Sequence, residues 1–162
     1  MPMRPTRHDL PTDAREKLVS LLNERLADAV VLATHAKQAH WNVRGPSFIA
    51  LHELFDDVAS KAQAQADLLA ERLAALGGVA FGDAKSAVAQ SNLPDYPADI
   101  ASGSAHADAL AAAISVFAKG ARTNITEAAD LGDDATADVL TEVVREADQL
   151  LWFVEAHLHA DR

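Results

Sequence analysis

Between residues 13 and 42, apolar positions recur every three or four residues at Leu18, Leu22, Leu26, Val30 and Ala33. That spacing lays one apolar stripe along an α-helix. Asp13 followed by Glu16 has the form of a capping box and predicts the helix start. Gly45 and Pro46 break the pattern and predict its end near Asn42. Pro46 or Ser47 opens a second helix, since proline suits a first turn. Phe48, Leu51, Phe55, Val58, Ala62, Leu69 and Leu73 share its apolar side, and Gly77-Gly78 ends it.

Residues 79–101 carry Pro94 and Pro97 and read as a long connection, with a short helix around 83–89. A third helix, rich in alanine, is expected over 104–130 and ends at Gly132. Asp133 or Asp134 caps a fourth that runs to about residue 159, with Val139, Val143, Leu150, Val154 and Leu158 on its apolar side. Two hairpins of long helices joined by a crossover predict an all-α four-helix bundle over residues 13–160, preceded by a flexible tail at 1–12.

Composition sharpens this picture. Of 162 residues, 49% are apolar and only 5% aromatic, as small-residue helix packing requires. There is no cysteine, so any metal must be held by His, Asp and Glu. The formal charge of −10 opposes nucleic-acid binding by the body and suits a protein that handles cations. It also serves plain solubility, and charge alone does not separate the two. No long uncharged apolar run would span a membrane, and no signal-peptide apolar region is evident, so a cytoplasmic location is expected.

The second helix carries a further stripe. At about 100° per residue, with Leu51 at zero, His52, Asp56, Asp67 and Glu71 fall at about 100°, 140°, 160° and 200°. Singly, each reads as part of a solvated face. As i, i+4 pairs, His52 with Asp56 and Asp67 with Glu71 can each converge on an ion. The pairs lie about 16 Å apart along the helix, too far for one metal. A two-fold axis near residues 61 and 62 would set the first pair of one copy against the second pair of another. Two symmetric sites per dimer would follow. His40 and His52 lie at similar heights across the turn, so His40 could join. Such a shell suits iron, manganese or zinc.

The stretch KQAHWNVRGPSFIALHELFDD followed by DLLAERLAALGGVA, with YPADI, DDATADVLTE and LLWFVEAHL further on, closely resembles the Dps family of mini-ferritins. The similarity covers nearly the whole chain after the tail. It implies a ferritin-like four-helix subunit that assembles into a hollow homo-dodecamer. It also implies oxidation of Fe2+, usually with hydrogen peroxide, and storage of ferric mineral as protection against oxidative damage. His40, His52, Asp56, Asp67 and Glu71 match its ferroxidase ligands, shared across a two-fold interface. Trp41 matches the tryptophan beside that centre, and burial of apolar area is its other reading.

The resemblance makes Asp134, Asp138 and Glu142 candidates for an acidic pore where three subunits meet. Favourable charge at a helix N-terminus is their plainer reading. Glu53 and Asp57 are candidate mineral-nucleation residues, or a solvated face. His35, His106, His157 and His159 match no ligand position.

Family members that bind DNA often use a lysine-rich tail. Here the first twelve residues offer Arg4 and Arg7 against Asp9. Twelve copies at −10 apiece would repel phosphate. Weak DNA binding is expected, with a nucleoid-associated, DNA-compacting protein as the alternative function.

Overall fold

The computed structural model describes residues 3–159. The first two positions of the expected tail, and residue 160 of the expected bundle, lie outside that range. Five helices follow in order: α1 (Thr12–Asn42), α2 (Phe48–Ala75), α3 (Ala84–Gln90), α4 (Gly103–Asp130) and α5 (Asp134–Glu155). The fold is the all-α, ferritin-like bundle. Among the described residues, no helix is long and apolar enough to cross a membrane.

Helix α1 packs mainly on α2 and α4 mainly on α5, so the bundle is two hairpins joined by the crossover that carries α3. The predicted apolar stripes meet in the core. Leu18, Leu22, Leu32, Phe55, Leu69, Leu73, Phe117, Leu140 and Leu150 are fully buried there. Alanines at 29, 36, 39, 62, 113 and 121, also fully buried, allow the helices to approach closely.

The ends of the helices show which local signals operate. Asp83, Ser102 and Asp133 cap α3, α4 and α5 by accepting from Ser86 N, Ala105 N and Thr136 N at 3.1–3.2 Å. The capping box expected at Asp13 and Glu16 does not form. Helix α1 starts at Thr12 after Pro11, with no side-chain cap. Arg15 holds this turn instead, donating to Leu10 O at 3.2 Å and Thr12 Oγ1 at 3.1 Å. Helix α5 stops before the expected residue 159. His157 N and Leu158 N bond the carbonyls of Val154 and Glu155, tightening the last turn until it ends.

Within the expected tail, Arg4 is bound to the body. Its backbone N–H donates to Gly77 O at 2.7 Å, and its guanidinium donates to Ala74 O at 3.2 Å and Gly78 O at 2.8 Å. Arg15 donates to Leu76 O at 3.0 Å. Of these, the carbonyls of Leu76, Gly77 and Gly78 just past α2 would otherwise lack partners, while that of Ala74 also accepts from Gly77 N at 3.0 Å. Gly77 has φ +89°, and a Cβ there would lie 2.9 Å from Arg4 O. The position needs glycine both for its backbone and for that close approach.

Helix α2 is tied to α5 by a buried ion pair. Arg72 donates to both oxygens of Asp133 at 2.8 Å, and to Thr136 Oγ1 at 2.8 Å. Asp133 is 4% exposed. Burial pushes its carboxyl up, but hydrogen bonds from Thr136 and Arg72 outweigh that and hold it below the usual range.

Asp133→Ala should therefore cost about 3 kcal/mol, because it removes a cap and leaves a guanidinium unpaired. A depressed carboxyl stabilises above its unfolded value of about 3.9 and loses that contribution as pH falls through the lower folded value. Urea unfolding from neutral to acid pH checks both. The gap between variant and wild type should narrow on the acid side.

Candidate metal centre

The hairpin of α1 and α2 closes around two imidazoles. His40 lies two residues before the end of α1, and His52 lies in the second turn of α2. Nδ1–H of His40 donates to the backbone oxygen of His52 at 2.7 Å. Nδ1–H of His52 donates to the backbone oxygen of His40 at 2.8 Å. The direction follows from chemistry, since a carbonyl oxygen only accepts. The rings stack, with centroids 3.7 Å apart and planes 20° apart.

Each hydrogen bond places a hydrogen on Nδ1, which in the neutral ring leaves the lone pair on Nε2. Neither Nε2 makes a hydrogen bond among the described residues. An outer hydrogen bond that fixes the tautomer and orients the ring is the usual arrangement behind a metal-ligating histidine.

Asp56 follows His52 by one turn. Lys37, one turn before His40, forms an ion pair with it. That hydrogen bond holds the Asp56 carboxyl below the usual carboxylate range, helped by the charge of Lys37 and the nearby imidazoles. Asp56 is thus an ionised oxygen donor with an exchangeable partner. Lys37 was missed from sequence, although the hairpin register that pairs His40 with His52 also places Lys37 opposite Asp56.

Asp67 and Glu71 are exposed and sit elsewhere. They line a cavity of about 340 Å³ between α2 and α5, together with Gln65, Glu142 and Glu146. Gln65, 2% exposed, donates to Glu146 Oε2 at 2.8 Å. Glu146 was not singled out, though it continues the i, i+4 series of 134, 138 and 142. Within one chain the five expected ligands therefore fall into two groups, His40–His52–Asp56 and Asp67–Glu71. Among the described residues of a single chain, no three His, Cys, Asp or Glu side chains are placed to hold a metal ion.

The remaining candidates occupy the surface. Trp41 is 70% exposed and lines an apolar groove of about 450 Å³ with Val30, Ala33, Lys37 and Gln63. Asp57 pairs with Lys61 at 3.6 Å, and Glu53 is exposed. Asp134 and Asp138 are exposed on α5, while Glu142 belongs to the cavity beside Asp67 and Glu71. Arg7 is exposed, whereas Arg4 is engaged at the end of α2.

A four-helix bundle with a long crossover and a histidine–carboxylate surface on α2 defines a protein of the ferritin-like class. Residues 19–162 match the model of the ferritin-like domain. The DNA protection during starvation protein of Agrobacterium fabrum is 40% identical over 153 residues, which are 94% of each chain. DpsC from Streptomyces coelicolor superposes with a TM-score of 0.94 at 30% identity, over 99% of this chain and 94% of its own. The Dps of Vibrio cholerae O1, a member of a broad superfamily of ferritin-like diiron-carboxylate proteins, superposes with a TM-score of 0.89 at 25% identity. That superposition covers 98% of this chain and 99% of the other. The chain belongs to the Dps family.

The paired imidazoles generate a direct expectation. Solid-state NMR of histidine-labelled protein should show the neutral forms of His40 and His52 as Nδ1–H tautomers. Assignment uses His40→Gln and His52→Gln. Nε2–H signals at both positions would contradict the reciprocal hydrogen bonds.

Proposed function

We propose that this chain is the subunit of a cytoplasmic iron-storage cage, a homo-dodecamer, that oxidises Fe2+ with hydrogen peroxide and sequesters ferric mineral. Membership of a family with ferritin-like diiron-carboxylate relatives supports iron storage and protection. The observation that carries the ferroxidase reading is the pair of rings fixed with both Nε2 lone pairs uncommitted, beside an ionised Asp56. Two such nitrogens and one carboxylate make half of an iron shell. Asp67 and Glu71, on the same helix but apart from them, supply the other half from the partner subunit. Two symmetric sites per dimer result, and zinc or manganese fits the same shell.

The chain's residues have distinct tasks. His40 and His52 present nitrogen without reorganising, because their tautomers are already fixed. Asp56 leaves Lys37 for the cation. The partner's Asp67 and Glu71 balance the charge. Two Fe2+ then supply two electrons, and one peroxide takes these with two protons to give two waters, so no hydroxyl radical is released. The apolar groove at Trp41 lies beside Lys37 and accepts the second copy, which buries the exposed indole. Asp134, Asp138 and Glu142 attract Fe2+ inward at a three-fold pore. Glu53 and Asp57 offer oxygens for mineral nucleation.

Stopped-flow oxidation of Fe2+ with peroxide, compared with oxygen alone, tests the activity. Asp56→Ala and Glu71→Ala should each slow it more than roughly tenfold, since even outer-shell partners are worth that much. Light scattering should show the assembly intact. The two variants damage opposite halves of a shared shell. A mixed dimer of one Asp56→Ala chain and one Glu71→Ala chain therefore keeps one complete site. Mixed assemblies no faster than either variant alone would rule out sharing between chains.

DNA binding is the alternative, and the name of the Agrobacterium relative is its support. The observations on this chain weigh against a strong form of it. Arg4 is engaged by carbonyls, and the body is acidic. With so few free cations, duplex retardation should be weak at about 0.15 M salt and vanish as salt rises. Arg4→Ala with Arg7→Ala should remove what remains. Tight retardation in chelator, unchanged by deleting residues 1–12, would locate the DNA surface elsewhere.

A further inference from the structure

Tyr96 is the chain's one tyrosine. It lies in the crossover between α3 and α4, half-buried, with its hydroxyl 2.5 Å from Nδ1 of His106 in α4. His106 is 1% exposed. Burial pushes the tyrosine hydroxyl up to about 12 and pushes the imidazole down, the latter against an opposing pull from the Asn42 backbone. Both groups are neutral at neutral pH. With the neutral imidazole in its Nε2–H tautomer, the phenol O–H donates and Nδ1 accepts.

This pair is held tightly and adjoins both helices of the proposed iron site. The His106 ring meets Phe55 edge-on, with centroids 6.5 Å apart, and Phe55 neighbours Asp56 in α2. At the start of α4, a Cβ on Gly103 would fall 2.4 Å from Leu51 Cδ1, so this end of α4 packs directly against the turn bearing His52. On the α1 side, the Tyr96 ring lies 5.2 Å from that of His35, two residues before Lys37. Buried Asp28 fixes the crossover by accepting from Ser91 Oγ at 2.9 Å and Asn92 N at 2.7 Å.

We propose that Tyr96 and His106 form an internal one-electron relay for the iron site. The proposal rests on the peroxide-driven ferroxidase reading and deepens it. Peroxide needs two electrons to become two waters, and a site holding a single Fe2+ supplies one. Tyr96 supplies the second. Its O–H bond breaks, the electron goes to the peroxide-derived oxidant, and the proton goes to Nδ1 of His106. One Fe2+, one peroxide, one phenol, one imidazole and two solvent protons give one Fe3+, two waters, a phenoxyl radical and an imidazolium. The next Fe2+ returns an electron, and His106 returns the proton. Two Fe2+ are then consumed per peroxide, although they arrive singly.

A phenol this hard to deprotonate is readily oxidised only with a base at hydrogen-bond distance, and His106 is that base.

Freeze-quench electron paramagnetic resonance tests the relay. Assembled protein is loaded without oxygen to one Fe2+ per chain and mixed with hydrogen peroxide. A tyrosyl signal is expected, and ring-deuterated tyrosine should narrow it. Since the chain has one tyrosine, that narrowing assigns the radical to Tyr96. Tyr96→Phe should lose the signal, His106→Gln should diminish it, and both should release more spin-trapped hydroxyl radical than wild type. A second equivalent of Fe2+ should quench the radical. A pair that merely pins the crossover would give none of these signals. If labelled wild type oxidises Fe2+ with peroxide but shows no deuterium-sensitive radical, the relay is wrong and the ferroxidase reading stands. If Fe2+ is not oxidised at all, both fall.

Discussion

The reciprocal hydrogen bonds between His40 and His52 are the constraint on which the rest of the candidate site depends. Each ring takes its acceptor from the backbone of the other helix. The pairing therefore sets the register of α1 against α2 at one height, as well as the tautomer of both rings. A typical hydrogen bond contributes only about 1 kcal/mol net, so their role in stability is modest. Their geometric effect is larger. Once 40 lies opposite 52, Lys37 lies opposite Asp56, and the first carboxylate of the site gains its counter-ion. The turn between them must also span residues 43–47, where Val43 is extended and Gly45 has φ +119°.

Helix α2 then has to serve two surfaces. One buries Leu51, Phe55, Leu69 and Leu73, and the other carries the histidine and acids. Because the acidic pairs are separated along the axis, a rigid helix cannot fold them onto one ion. The apolar groove at Trp41 lies between them, where a second copy can meet this face. On the proposed reading, the same geometry that leaves the single chain without a complete shell assigns its other half to a second copy.

Much of this was legible in the sequence, and what escaped shares a physical cause. Apolar period and glycine stops located the helices because they act through each residue's own preferences, whereas α2 begins at Phe48, two residues past Pro46. The i, i+4 acids on α2 were legible because helical spacing fixes which side chains share a face. The imidazole pairing, the docking of Arg4 and the Arg15 contacts were not, because their acceptors are backbone carbonyls, which every residue has. The capping box misled for a related reason: Pro11 and Arg15 settled the start of α1 before Asp13 could cap it. Tyr96 and His106 come together through the path of the crossover, which no spacing rule encodes. Lys37 could have been found, once the hairpin register was taken as seriously as the ligands.

The end of α2 links the amino-terminal segment to the acids. Glu71 lies near the end of that helix, where the backbone dipole is negative and a carboxylate is disfavoured, and Asp67 lies one turn before it. Arg4 and Arg15 donate to the terminal carbonyls. These cations offset the local negative potential that two carboxylates would otherwise intensify. An arm that released Arg4 toward a phosphate would give up three hydrogen bonds and leave the carbonyls of Gly77 and Gly78 without partners. It would also remove one positive charge from the helix end nearest the acid pair. Binding DNA through Arg4 and closing α2 therefore compete for the same side chain, and in this structure the helix end holds it.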